Sequence, residues 1–193
     1  MMGTVGFAAS NPLQFWKTDG MLGIARRPLF NASTDSAFVI DQASTLALGG
    51  STGQYNSFQN MEGNPHGSAH SSFGGSISSI GTAARDPLFF LLHCNVDRLW
   101  AVWQKSFGRF DASLAASFDS SSPFVGHRLN DTMWPWNGIT GSPRPPSAPG
   151  GTLATSPIVG APGSSPVVRD MLDYQGKINP ANRLGFDYDD VPF

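Results

Sequence analysis

Asp86-Pro87-Leu88-Phe89-Phe90-Leu91-Leu92-His93-Cys94-Asn95-Val96-Asp97-Arg98-Leu99-Trp100, running on to Phe107 and Gly108, is the stretch that decides the fold. Asp before Pro is a helix-start signal: the carboxylate accepts a free N–H of the first turn, and proline suits the first helical position. Phe89, Val96, Trp100, Trp103 and Phe107 fall on three- and four-residue spacing, the mark of a helix with one buried face. The pattern predicts a helix over about 87–107, roughly 22 residues or about 33 Å long, stopped by Gly108.

Upstream, Asn64-Pro65 repeats the start signal and Gly74-Gly75 supplies a stop, so a short helix is expected over about 65–73. His66 and His70 are four apart on it, which puts both imidazoles on one face. Glu62 lies four residues further back. His93 sits inside the long helix, four residues after Phe89 and four before Asp97. An unpartnered buried imidazole is costly, so His93 needs a polar partner or a metal. The residues alone leave two readings open. His66, His70 and His93 on two facing helices form a metal site, or the first pair is a chance spacing and His93 a hydrogen-bonded core histidine. On the second reading the Phe/Leu/Trp stripe is core packing and no more. Neutral imidazoles suit copper, zinc, iron and nickel alike, so spacing does not choose the metal.

The rest of the chain sets limits. It has 193 residues, long enough for a single domain over 1–193, with 40% apolar and only 13% charged residues. A net charge of −2 excludes a basic nucleic-acid footprint. A single cysteine excludes an intrachain disulfide; Cys94 is expected as a small buried hydrophobe. Gly (22) and Pro (15) demand much loop, and residues 141–166 alone hold seven Pro and five Gly, which makes them a long irregular segment. Residues 20–30 are expected as irregular chain with a short strand, 35–48 as a weak short helix, and 167–174 as one helical turn or a short strand. Arg26-Arg27 reads as surface charge, and Trp134 and Trp136 as packing residues. No apolar run approaches the roughly 20 residues of a membrane span. Met1 to Phe7 lacks the pattern of a signal peptide, which leaves the cytoplasm as the default compartment.

Glu62-Gly63-Asn64-Pro65-His66-Gly67-Ser68-Ala69-His70, then Phe73-Gly74-Gly75, then Asp86 to Trp100 resemble the second copper-binding region of tyrosinases and catechol oxidases. Asn130 to Trp136 and Leu184 to Tyr188 resemble later parts of bacterial members. The resemblance runs over roughly 20–190 and is strongest over 61–104. It implies a mainly α chain, half of a type-3 copper four-helix bundle wrapped by long irregular loops. The chemistry it implies is O₂-dependent oxidation of phenols or catechols to o-quinones at two copper ions, each held by three histidines. Carried over, His66, His70 and His93 match the ligands of the second copper, CuB. Glu62 matches the acidic residue that holds a water and helps deprotonate the phenol, and Asp97 a residue that orients an imidazole from behind. Gly67, Ser71, Ile80 and Leu92 fall where the substrate pocket is expected.

Several positions depart from the family pattern. Leu92-His93 stands where members usually read His-His, so the ligand is kept and its neighbour lost. Gly67 stands where many monophenol-hydroxylating members carry Asn, which tilts the expectation toward catechols. Ile80 replaces a bulky residue that shields the copper. The first copper site, CuA, needs three more histidines. The sequence has four in all, and the fourth, His127, is expected as a surface or structural residue. A second copper therefore requires a CuA-bearing half, and the uncovered helix faces imply a partner chain or homo-oligomer. Other readings kept beside this one are a non-catalytic copper-binding fragment or partner subunit, a three-histidine zinc hydrolase with Glu62 as base, and an oxygen carrier.

Overall fold

A computed structural model describes residues 3–18, 20–26, 39–119, 128–132 and 167–192. The described chain is mainly helical. Its elements are β1 (Gly3–Val5), β2 (Lys17–Thr18), β3 (Met21–Leu22), β4 (Ile24–Arg26), α1 (Gln42–Ala47), α2 (Tyr55–Phe58), α3 (Ser68–Phe73), α4 (Leu88–Phe107) and α5 (Val168–Leu172), with single helical turns among the residues between α2 and α4 and after α5. Among the described residues no helix is long and apolar enough to cross a membrane. Residues 141–166, His127, Trp134 and Trp136 lie outside the described residues.

The chain divides into two compact units. One comprises Met1–Leu48 and Phe58–Trp100, the other Gly49–Ser57 and Ala101–Phe193. In the first, β1 pairs antiparallel with β4 (Thr4 opposite Ala25) and β2 with β3. Ile24, Phe58, Met61, Ala69, Ile77, Ala83 and Leu99 are its buried apolar residues. Asp86 is wholly buried (0% exposed) and does two things at once. Its Oδ1 accepts the Leu88 N–H at 2.9 Å, the cap expected of an Asp-Pro start. Its two oxygens also accept the Arg26 Nε and Nη2, each at 2.8 Å. The reading of Arg26 as surface charge is thus corrected: it ties β4 to the start of α4. The Arg27 side of that expectation lies outside the described residues.

Gly75 fixes a second contact of β4. Its φ is +70°, and a Cβ there would lie 2.0 Å from the Ala25 carbonyl oxygen. Both the conformation and the close approach require glycine. Gly75→Ala is expected to destabilise the protein by about 1–3 kcal/mol from the forced φ alone, with the clash added. A thermal melt reads this as a drop of several degrees; an unchanged melting temperature contradicts the packing.

The short helix begins differently from its expectation. Asn64 is non-helical (φ −149°, ψ 118°), and a wide turn over Gly63–Gly67 precedes α3. The Asn64 Oδ1 accepts the Ile40 N–H at 3.1 Å, a partner 24 residues away, and does not cap the helix. Gly74 does end α3, with φ +58°. The long helix closes at Gly108, with φ +65°. Cys94 is exposed on α4, not buried as expected. It follows His93 by one residue, about 100° around the helix, and so leaves the face that His93 occupies.

In the second unit Ala101, Phe110, Tyr174 and Val191 form a core flanked by Val102, Leu184 and Tyr188. Trp103 is buried, as the stripe predicts. The Gln104 Nε2 donates to the carbonyls of Arg109 and Leu172, each at 2.9 Å. Residues 167–174 take the helical alternative, as α5.

Candidate metal centre

Three elements of the first unit each supply an imidazole. His66 lies at the end of the wide turn, His70 in α3 and His93 in the second turn of α4. The rings stand edge to face or tilted, with centroids 4.8 Å apart for His66 and His70, 4.9 Å for His66 and His93, and 5.2 Å for His70 and His93. All three are half-buried. Among the described residues they are the one cluster able to hold a metal ion.

The Nδ1 atoms decide the chemistry. The His70 Nδ1 lies 2.6 Å from the Ile77 carbonyl oxygen, and the His93 Nδ1 lies 2.6 Å from the Phe89 carbonyl oxygen. A carbonyl oxygen only accepts, so each Nδ1 carries the hydrogen. The His66 Nδ1 lies 2.9 Å from the Glu62 Oε2, and a carboxylate asks the same of it. In the neutral rings the hydrogens therefore sit on the outer nitrogens. Three Nε2 lone pairs are left facing one another, with His66 Nε2 at 3.1 Å from both His93 Nε2 and His70 Nε2.

Three bare lone pairs at that separation repel unless a cation lies among them. Nitrogens about 2.0–2.1 Å from one ion, at angles between square and tetrahedral, stand roughly 2.9–3.4 Å apart. Both His66 separations fall in that range, and all three donor atoms lie within 4.8 Å of one another. Neutral imidazoles held by their other nitrogen are the usual donors to copper or zinc, and three of them leave a coordination position open.

The surroundings sort the remaining expected residues. Phe89 packs its ring on His93, centroids 4.0 Å apart, and stands 6.2 Å from His70. Glu62 lies on His66, and its side chain is 67% exposed. Asp97 is exposed. The Nδ1 of His93 is held by the Phe89 carbonyl and its Nε2 faces the other two rings, so the structure does not bring Asp97 onto that imidazole as its orienting partner. Gly67 is half-buried beside His66, and a Cβ there would stand 3.0 Å from the Glu62 carbonyl oxygen. Ser71 is exposed and donates its hydroxyl to the Gly67 carbonyl at 3.0 Å. Leu92 is half-buried, whereas Ile80 is fully exposed. Phe90 and Leu91, on the same two turns of α4 as His93, are exposed as well. Sequence reasoning missed the two carbonyl anchors. The one from Phe89 follows from helix geometry at four-residue spacing, while nothing in the side chains announces the one from Ile77.

Comparison with known proteins places this geometry in context. Residues 15–106 match the family described as the common central domain of tyrosinase. The chain is 44% identical over 61 residues to the tyrosinase HcTyr1 of Hahella sp. (strain CCB-MM4), covering 32% of this chain and 12% of that protein. It is 36% identical over 92 residues to a tyrosinase of Streptomyces antibioticus, covering 47% of this chain and 32% of that one. It is also 39% identical over 80 residues to Hemocyanin 2 of Megathura crenulata, covering 35% of this chain and 2% of that protein. In each case the chain spans less than a third of the relative's length.

Proposed function

We propose that this chain supplies the CuB site of a tyrosinase-like polyphenol oxidase domain, with His66, His70 and His93 as its copper ligands. The observation that carries the reading is the convergence of three Nε2 atoms within 4.8 Å of one another, with His66 Nε2 3.1 Å from each of the other two and each ring tied back through Nδ1. The match of residues 15–106 to the tyrosinase central domain favours copper over zinc. A bound copper pair would supply binding of O₂ and its four-electron reduction to two waters, two catechols each giving two electrons and two protons and leaving as o-quinones.

The chain's own residues would do the rest. The histidines hold one ion on the first unit. Gly67, Ser71, Ile80 and Leu92 border the approach of a phenolic ring, and Gly67 in the place of an Asn favours catechols. Proton removal by Glu62 through a held water would fall to its second oxygen, because Oε2 faces His66. The second ion needs three histidines beyond the four of these 193 residues. They would come from a CuA-bearing half, on the same polypeptide or on a partner.

Copper titration tests the proposal. The purified 193-residue chain is expected to take up about one copper per chain and to turn over catechol at background rate. Supplying a CuA half is then expected to raise catechol oxidation. Preference for zinc over copper, or robust catechol oxidation by the chain alone, overturns it. Reversible O₂ binding by the reconstituted pair without turnover would favour the oxygen-carrier reading.

A further inference from the structure

The three imidazoles are not anchored alike. His70 and His93 are held by backbone carbonyls, of Ile77 and Phe89, which no side-chain substitution removes. His66 is held by a side chain, the Glu62 carboxylate at 2.9 Å. His66 is also the central ring: its Nε2 lies 3.1 Å from the Nε2 of each of the other two. One carboxylate therefore sets the ring on which the whole cluster closes.

The wide turn sharpens this dependence. His66 stands in Gly63–Gly67, immediately after the non-helical Asn64, so no continuous helix delivers it from the N-terminal side. Glu62 lies on the other side of that break, at the end of the single turn Gln59–Glu62. The contact from Glu62 to His66 thus bridges the break and replaces the orientation that an unbroken helix would give. A free imidazole exchanges its hydrogen between Nδ1 and Nε2 and turns about its side-chain bonds. A carboxylate at Nδ1 suppresses both motions and raises the donor strength of Nε2.

We infer that Glu62 is a positioning residue of the metal centre, holding His66 as the Nδ1–H tautomer with its Nε2 aimed at the ion. This rests on the metal-site reading above and differs from the role of a base at the substrate. Glutamine separates the two roles, because its amide oxygen still accepts from Nδ1–H but takes up no proton.

Two readouts test it on the full chain. In the metal-free protein, ¹⁵N chemical shifts of the histidine rings are expected to report His66 protonated at Nδ1 in the wild type and in Glu62→Gln. In Glu62→Ala they are expected to show the hydrogen moved to Nε2 or exchanging. Copper affinity, measured by competition with a chelator, is expected to fall 10–100-fold in Glu62→Ala and to stay within a few-fold of wild type in Glu62→Gln. A native tautomer and native affinity in Glu62→Ala overturn the inference, and so does a Glu62→Gln variant as weak as Glu62→Ala. A wild-type chain that takes up no copper sinks the metal reading instead, while the ring shifts still judge Glu62. Loss of copper in His66→Ala with none in Glu62→Ala sinks this inference alone.

Discussion

Replacing His93 by alanine is expected to lower the copper affinity of the chain by at least about 100-fold, beyond the 10–100-fold that loss of an outer orienting group costs. His66→Ala and His70→Ala are expected to do the same, and His127→Ala, which lies outside the motif, to do nothing. The stability of the copper-free protein should move the other way. With the Nδ1 hydrogens committed to Ile77, Phe89 and Glu62, the native cluster crowds three lone pairs. Removing one ring relieves that repulsion, though it also leaves a gap beside Phe89 in the case of His93. The contrast appears once copper is added. A ligand at 1,000 times its dissociation constant stabilises the folded state by about 4.1 kcal/mol. For a chain of this size that raises the melting temperature by roughly 8–16 °C. The wild type is expected to show that rise and each histidine variant to lose most of it. An equal rise in all three variants contradicts the ligand assignment, because it places the stabilising copper elsewhere.

The three-histidine cluster was legible in the sequence because its members are local and chemically distinctive. His66 and His70 share one short segment, and His93 lies behind a start signal that the structure honours through the Asp86 to Leu88 cap. Gly74 and Gly108 end their helices at the expected positions because a left-handed φ is a local requirement. The misreadings share another cause. Asn64 has the composition of a cap, yet its oxygen serves Ile40, a partner that only the folded chain brings near. Arg26 looks like solvated charge until Asp86, 60 residues away, closes on it. The Ile77 carbonyl that sets His70 has no side-chain signature at all. Local rules carried the three histidines and the helix ends. Tertiary hydrogen bonds decided how the rings are held, and periodicity does not encode those.

The Arg26–Asp86 pair carries the second large expectation. Asp86→Ala is expected to destabilise the protein by about 3 kcal/mol, the lower end of the loss on breaking a buried pair. The lower end applies because a quarter of the Arg26 side chain still meets water, whereas Asp86 meets none. Three hydrogen bonds disappear together: two from the Arg26 guanidinium and one from the Leu88 N–H at the start of α4. Asp86→Asn keeps an oxygen for Leu88 but loses the charge, so an intermediate loss is expected. The hydrogen bond to Asp86 raises the Arg26 pKa above its ordinary value, so the guanidinium stays charged throughout the neutral range. Urea denaturation measures the loss. An Arg26→Met, Asp86→Leu double variant is expected to recover part of it, since no buried charge is then left uncompensated. Copper affinity should follow stability in the single variant, because the first turns of α4 carry both the Phe89 carbonyl and His93. A fully stable Asp86→Ala protein with weakened copper binding would break that link, showing that the pair tunes the metal centre without supporting the fold.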